Sequence, residues 1–188
     1  MAELSDYSGK FDPGIRDGDF SKVLLVDLLN AYAEYVRRID NLWYLAVKQG
    51  LGEDEAFADD MKIWEKMTLH ELDVTCSLFK IRGNDVSSMM KALQMSSWLK
   101  ISKLGYHMQL KSPSHSVLTI TNCPTLATLE REGSGREEKI CLQIETKRFN
   151  IIAGFFNPMI EVKALKLPPR QGPDETACLW EFILKDKQ

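Results

Sequence analysis

Two carboxylates and four indoles are the residues whose type and spacing invite chemistry in this chain. Asp40 and Asn41 stand directly before Leu42-Trp43-Tyr44, and Asp60 precedes Trp64 by four residues, one helical turn. A carboxylate one turn from an indole can orient a ligand, accept from the indole N–H, or face water. Trp43, Trp64 and Trp98 fall on three consecutive helical patterns, and Trp180 falls on a strand pattern. Such rings commonly dominate a core, yet large flat side chains also leave concave apolar walls that small molecules fill. Met61, Met67, Met89, Met90 and Met95 add adaptable apolar surface. The ligand-binding candidates are therefore Asp40, Trp43, Asp60, Trp64, Trp98 and Trp180.

Cys76, Cys123, Cys141 and Cys178 are spaced too widely for a CxxC redox motif or a zinc knuckle. Cys123, Cys141 and Cys178 supply three soft donors if the fold converges them, and a fourth ligand would complete a tetrahedral zinc site. Otherwise they are small buried hydrophobes. His70 lies in a helical pattern, His107 on the polar side of a strand and His115 in a turn, none beside an evident carboxylate partner. Phosphate-cradling GxxxxGK[ST] and GxGxxG loops are absent, as are HExxH and GxSxG, which argues against P-loop NTPases, Rossmann dehydrogenases, zincins and ordinary serine hydrolases.

The elements that must position these residues follow from periodicity. Ser21 or Asp19 can cap a helix whose apolar stripe over 23–48 includes Leu24, Leu28, Ala31, Tyr35, Ile39, Leu42, Trp43 and Ala46, with Gly50 as its stop. A second helix starts at Glu53 and runs toward Gly83 through Phe57, Met61, Trp64, Met67, Leu72, Thr75 and Leu78. Asn84 is placed to cap a third, with Val86, Met89, Met90, Leu93 and Trp98 buried. After Lys100 the period shortens to two. Tyr106, Met108 and Leu110 alternate with polar residues, 112–115 reads as a turn, and 117–121 forms the return strand. Pro124 opens a short helix, 137–156 reads as another amphipathic helix, and 160–167 and 176–184 are strands. The order ααα-ββ-αα-ββ, with helices and strands segregated, predicts an α+β fold with helices packed on an antiparallel sheet of four strands.

The chain of 188 residues, 44% hydrophobic, is long enough for one domain with a substantial core. Residues 1–19, with Gly9, Pro13, Gly14, Gly18 and four aspartates, read as a flexible leader. The domain then covers 20–188, its helical half 20–100 and its sheet half 101–186. A net charge of -3 and a pI near 5.7 lack the basic signature of nucleic-acid binding. Without a long apolar run or a signal-peptide pattern, no membrane insertion is expected, and the expected location is the cytoplasm.

The segment Asp40-Asn41-Leu42-Trp43-Tyr44-Leu45-Ala46-Val47, followed by Asp60 and Trp64, resembles an uncharacterised prokaryotic family whose motif reads D-G-L-W-F-x-A-V, with Asn41 in place of its Gly. Asn122-Cys123-Pro124, Cys141, Phe156-Asn157-Pro158, Pro168-Pro169 and Cys178-Leu179-Trp180-Glu181-Phe182 follow in the order of that family and its relatives, the amino-thiazoline-carboxylate hydrolase-like proteins and the 4-vinyl-reductase domain. The resemblance spans 23–184. It implies a fold similar to 4-vinyl-reductase domains and TRAPP transport-particle subunits, with helices on a four-stranded sheet around an apolar cavity and homodimers formed through the helices. It also implies a metal-chelating cysteine set, here Cys123, Cys141 and Cys178. Relatives place further cysteines where this chain has Ala164 and Leu167, so the set is incomplete; no cofactor is expected, and zinc is the one alternative the set leaves open.

The expected function is binding of a small apolar or aromatic molecule in a cavity between helices and sheet. One alternative is a hydrolase of a small heterocyclic or amidine-like substrate, using Asp60, a histidine or Cys123. The other is a subunit-interaction module.

Overall fold

The structure is a computed structural model that describes residues 3–185; positions 1–2 of the assigned leader and 186–188 of the assigned domain lie outside the described residues. Ser21 opens helix α1, Lys22–Leu51, its Oγ accepting from the Leu24 amide at 3.3 Å. Within the leader, Leu4 forms a parallel bridge to Phe20, and Tyr7 meets the Phe20 ring edge-on at 6.1 Å.

Gly50 does not end α1. The helix continues to Leu51, and Gly52 both closes it and starts α2, Glu53–Leu78. Gly52 adopts φ 102°, ψ 170°, a region essentially reserved for glycine. The obstacle to a side chain is backbone rather than space, since an added Cβ would meet Glu55 Oε2 at 3.4 Å, an ordinary contact. Gly52→Ala should therefore destabilise the protein by about 1–3 kcal/mol. Urea denaturation showing a loss below experimental error would mean the junction relaxes freely.

Helix α3, Val86–Met95, is capped by Asp85 rather than Asn84, with Asp85 Oδ1 accepting from the Ser88 amide at 2.8 Å. Trp98 sits beyond it in a 3-10 turn, Trp98–Lys100. Strands β1, Gly105–Ser112, and β2, His115–Asn122, form the expected hairpin, but Ser112 pairs with His115, which places His115 in the strand and leaves Pro113-Ser114 as the turn. Helix α4, Pro124–Glu132, ends at Gly133 in the left-handed region. The expected helix over 137–156 is a continuous run of α5, Arg136–Lys139, a π-helical segment, Ile140–Glu145, and α6, Thr146–Phe156. Strands β3, Ile160–Lys166, and β4, Cys178–Leu184, complete an antiparallel sheet of order β1-β2-β4-β3. The fold is α+β, in the order read from the sequence.

The core lies between one sheet face and α3 and α6, where Leu118, Ile120, Trp180 and Phe182 meet Val86, Met89, Leu93, Phe149 and Ile152. Helix α2 contributes Leu72 to this cluster; α1 contributes none. The α1 stripe was expected to be buried, yet Ile39 is 66% and Leu42 58% exposed, and Leu28, Tyr35 and Trp43 are exposed too. Helix α1 packs chiefly on α2 and the Trp98 turn, so most of its apolar side chains have no layer above them. Among the described residues, no helix is long and apolar enough to cross a membrane.

Candidate functional site

Helices α1 and α2 leave between them an apolar groove of about 910 Å³. Val26, Leu29, Val36, Ile39 and Trp43 form one wall; Ile63, Met67, Val74, Leu78 and Phe79 form the other. A second, smaller hollow of about 110 Å³ lies where α1 and α2 meet α4 and the α5–α6 run. The two share Ala33, Val36, Asp40, Trp64 and Ser97, so the groove adjoins the hollow at Asp40 and Trp64.

Ionisable side chains gather in the wall of the small hollow, among apolar ones. Asp40, from α1, and Asp60, from α2, are both in its wall with Tyr44, Glu145, Arg136 and Arg148. Asp60 lies four residues before Trp64, so both project from the same face of α2. Burial pushes the Asp60 carboxyl up to about 7, helped by the charge of Asp40. Asp40 rises to about 6 by burial, opposed by the Trp64 indole N–H, which favours the ionised form of both. Burial also raises Tyr44 to about 12, its hydroxyl donating to Glu53 Oε1 at 2.8 Å.

The arginines hold their own partners. Arg136 donates to Glu132 at 3.1 Å and lies 4.6 Å over the Tyr44 ring. Arg148 donates to Glu145 at 3.5 Å and lies over both Trp98, at 4.8 Å, and Trp64, at 5.6 Å. A guanidinium between two indoles fixes both rings, because the cation is drawn to each π-face. Burial pushes the Glu145 carboxyl above its usual range, and Arg148 opposes that shift.

Of the six ligand-binding candidates, Asp40, Asp60, Trp64 and Trp98 line the small hollow, and Trp43 lines the groove. Trp180 lines neither. It is 1% exposed and packs on Phe149 at 4.7 Å between ring centroids, which makes it core. No strand residue lines either space, so the hollow is among helices rather than between helices and sheet. The sequence reading missed Tyr44, Arg136, Glu145 and Arg148. One signal was available: Glu145 and Arg148 fall in helical register with Cys141, Ile144 and Ile152, on the apolar stripe rather than opposite it.

The thiols of Cys123, Cys141 and Cys178 lie near enough to Glu145, and in part to one another, that these charges raise the pKa values of all three. Burial is the largest cause in each, carrying Cys178 to about 12. The thiolate is the attacking form, so burial works against a nucleophilic role for Cys123. Among the described residues, no group of three or more His, Cys, Asp and Glu is arranged to hold a metal. His115 does find a carboxylate, Glu181 on β4 at 2.9 Å, far from the hollows on the sheet. His70 lines the groove and His107 is exposed on β1.

A family model matches residues 18–184, nearly the whole chain and both hollows with it. The chain belongs to DUF6125, a family of unknown function. No curated protein and no solved structure matches it. The DUF6125 match covers every element from α1 to β4.

Proposed function

We propose that the protein binds a small, largely apolar or aromatic molecule, its body in the α1–α2 groove and one polar end at Asp40 and Asp60. The observation that carries this reading is the junction itself: an apolar groove of ligand size adjoining a hollow with a few convergent polar groups and displaced pKa values. The resemblance of the Asp40–Val47 and Asp60–Trp64 segments to an uncharacterised family related to the 4-vinyl-reductase ligand-binding domain supports the same reading.

The neutral dye N-phenyl-1-naphthylamine tests it. Its emission should rise on binding, with quenching of Trp43 and Trp64. Val36 borders both spaces and is 47% exposed, so Val36→Trp should fill the junction without unfolding the chain. Dye affinity should fall about tenfold or more, since the added ring takes the space the ligand needs. Dye that ignores the protein, or binds the variant equally, would sink the proposal.

The hydrolase reading draws on a different observation. A carboxyl raised to about 7 is poised to take a proton from water near neutral pH, which assigns general-base work to Asp60 ahead of any histidine or Cys123. Turnover of a heterocyclic substrate, lost in Asp60→Asn, would support it. The outward apolar residues of α1 support the subunit reading: a second copy on this face would show as a dimer in sedimentation and would exclude the dye.

A further inference from the structure

Charges around the small hollow pair off, and the pairing leaves a remainder. Arg37 ion-pairs with Glu34, Lys48 with Glu53, Arg136 with Glu132 and Arg148 with Glu145. Each guanidinium in the wall thus already has a carboxylate, Arg136 reaching Glu53 as well at 3.7 Å, although Arg136 Nε and Nη1 and Arg148 Nη2 make no hydrogen bond. Asp40 and Asp60 have no such partner: among the described residues neither takes part in an ion pair, and the influences on them are burial, the Trp64 N–H, their mutual repulsion and the more distant Glu145 and Arg136. Asp60 is 7% exposed, and a buried carboxylate without a cation is costly. Both border the hollow, and Asp40 borders the groove as well.

We infer that the ligand's polar end is a cation, a protonated nitrogen such as an alkylammonium or amidinium, seated between Asp40 and Asp60 with its apolar body along the groove. This rests on the proposed binding function and narrows it to a chemical class. An anionic end would meet two carboxylates. A neutral hydroxyl would gain hydrogen bonds but leave the charge imbalance in place. A monocation answers both, because hydrogen bonds to an ionised acceptor are roughly twice as strong as neutral ones. The groove favours an apolar body because its two walls are built almost wholly from aliphatic and aromatic side chains. Helix α1 presents Asp40 and α2 presents Asp60, so a cation between them would also tie the two helices together.

The test is a matched series with one body and three ends: 4-phenylbutylamine, 4-phenylbutan-1-ol and 4-phenylbutyrate, titrated at pH 8 against indole fluorescence excited where the phenyl ring does not absorb. The amine should bind about tenfold or more tighter than the alcohol, the scale of one charge-assisted hydrogen bond, and the carboxylate should bind weakest. Asp60→Asn and Asp40→Asn should each shrink the amine's advantage over the alcohol. Asp59→Asn, a neighbouring acid paired with Lys62 outside the hollow, should keep it. An alcohol equal to the amine, or a carboxylate that binds best, overturns the cation while leaving the groove reading intact. If none of the three binds and the naphthylamine dye does, the head assignment is wrong. If the dye also fails, both readings fall.

Discussion

Phe149→Ala should cost the fold about 3–5 kcal/mol, the range for removing a fully enclosed aromatic ring. Phe149 has no exposed surface and stands at the centre of an aromatic cluster, 6.0 Å from Trp98, 4.7 Å from Trp180 and 5.5 Å from Phe182. Trp180 and Phe182 belong to the sheet and Trp98 to the turn after α3, so this one ring on α6 joins the layers that frame the hollow. Its chain neighbour Arg148 lies over the Trp64 and Trp98 rings. Collapse into the cavity would carry that guanidinium with it, so the damage should extend from the core to the site. Urea unfolding followed by circular dichroism gives the first effect, and the shift in indole emission of the still-folded protein gives the second. Phe149→Leu, which keeps most of the volume, should cost less than half as much. A loss under about 1 kcal/mol for the alanine variant would mean the neighbouring rings close over the gap, contrary to close packing.

How far the sequence carried these conclusions varies by element. The strands were legible because β3 and β4 alternate and β2 is apolar at Leu118 and Ile120, which the structure buries completely. Asp60 and Trp64 at the small hollow were legible for a local reason: they share a helix face, and a carboxylate near an indole is unusual inside an amphipathic stripe. What periodicity could not separate was burial in the core from burial in a wall. Trp180 and Trp64 both lie on apolar faces, and only the packing of α6 over the sheet puts the first in the core.

Helix α1 shows the converse limit. An apolar stripe predicts that a face will be covered, without saying by what. Here the chain itself covers Ala33 and Tyr44, and leaves Ile39 and Leu42 outside. The arginines escaped for a third reason. Glu145 and Arg148 at i, i+3 look like a solvated ion pair in a sequence, whereas in the structure Arg148 is 4% exposed between two indoles. The π-helical segment before it has no plain sequence marker, yet it sets the phase at which Glu145 and Arg148 enter the hollow; such segments recur at functional sites.

The stability of the wild-type protein should fall as pH rises from about 5 to 7.5, and Asp60→Asn should remove much of that slope. The sign follows from the direction of the shift. The folded state holds the Asp60 proton to about 7 and the Asp40 proton to about 6, against an ordinary value of 3.8 for each. Between those limits the native state binds more protons than the unfolded chain, so raising the pH favours unfolding. The carboxylates held low by hydrogen bonds, Glu34, Asp85, Glu130 and Glu175 among them, work in the opposite direction. Their contribution is lost only as pH falls below their ordinary range, so they do not shape this window. At about 1.4 kcal/mol per pH unit, ionising Asp60 costs the fold on the order of 2–4 kcal/mol, the lower figure allowing for water that reaches the carboxyl. Asp60→Asn should accordingly be more stable than wild type by roughly 2 kcal/mol at pH 8, by less than half of that near pH 5, and indistinguishable from it only below about pH 4, where Asp60 is neutral in the unfolded chain as well. A difference that stays constant across the range would mean that Asp60 is not strained by burial at all. The predicted pattern, an acid that weakens the fold at neutral pH and is relieved by neutralisation, is what a seat for a cation requires: 4-phenylbutylamine should narrow the gap between wild type and variant at pH 8, because it stabilises the ionised pair and has little to offer the amide.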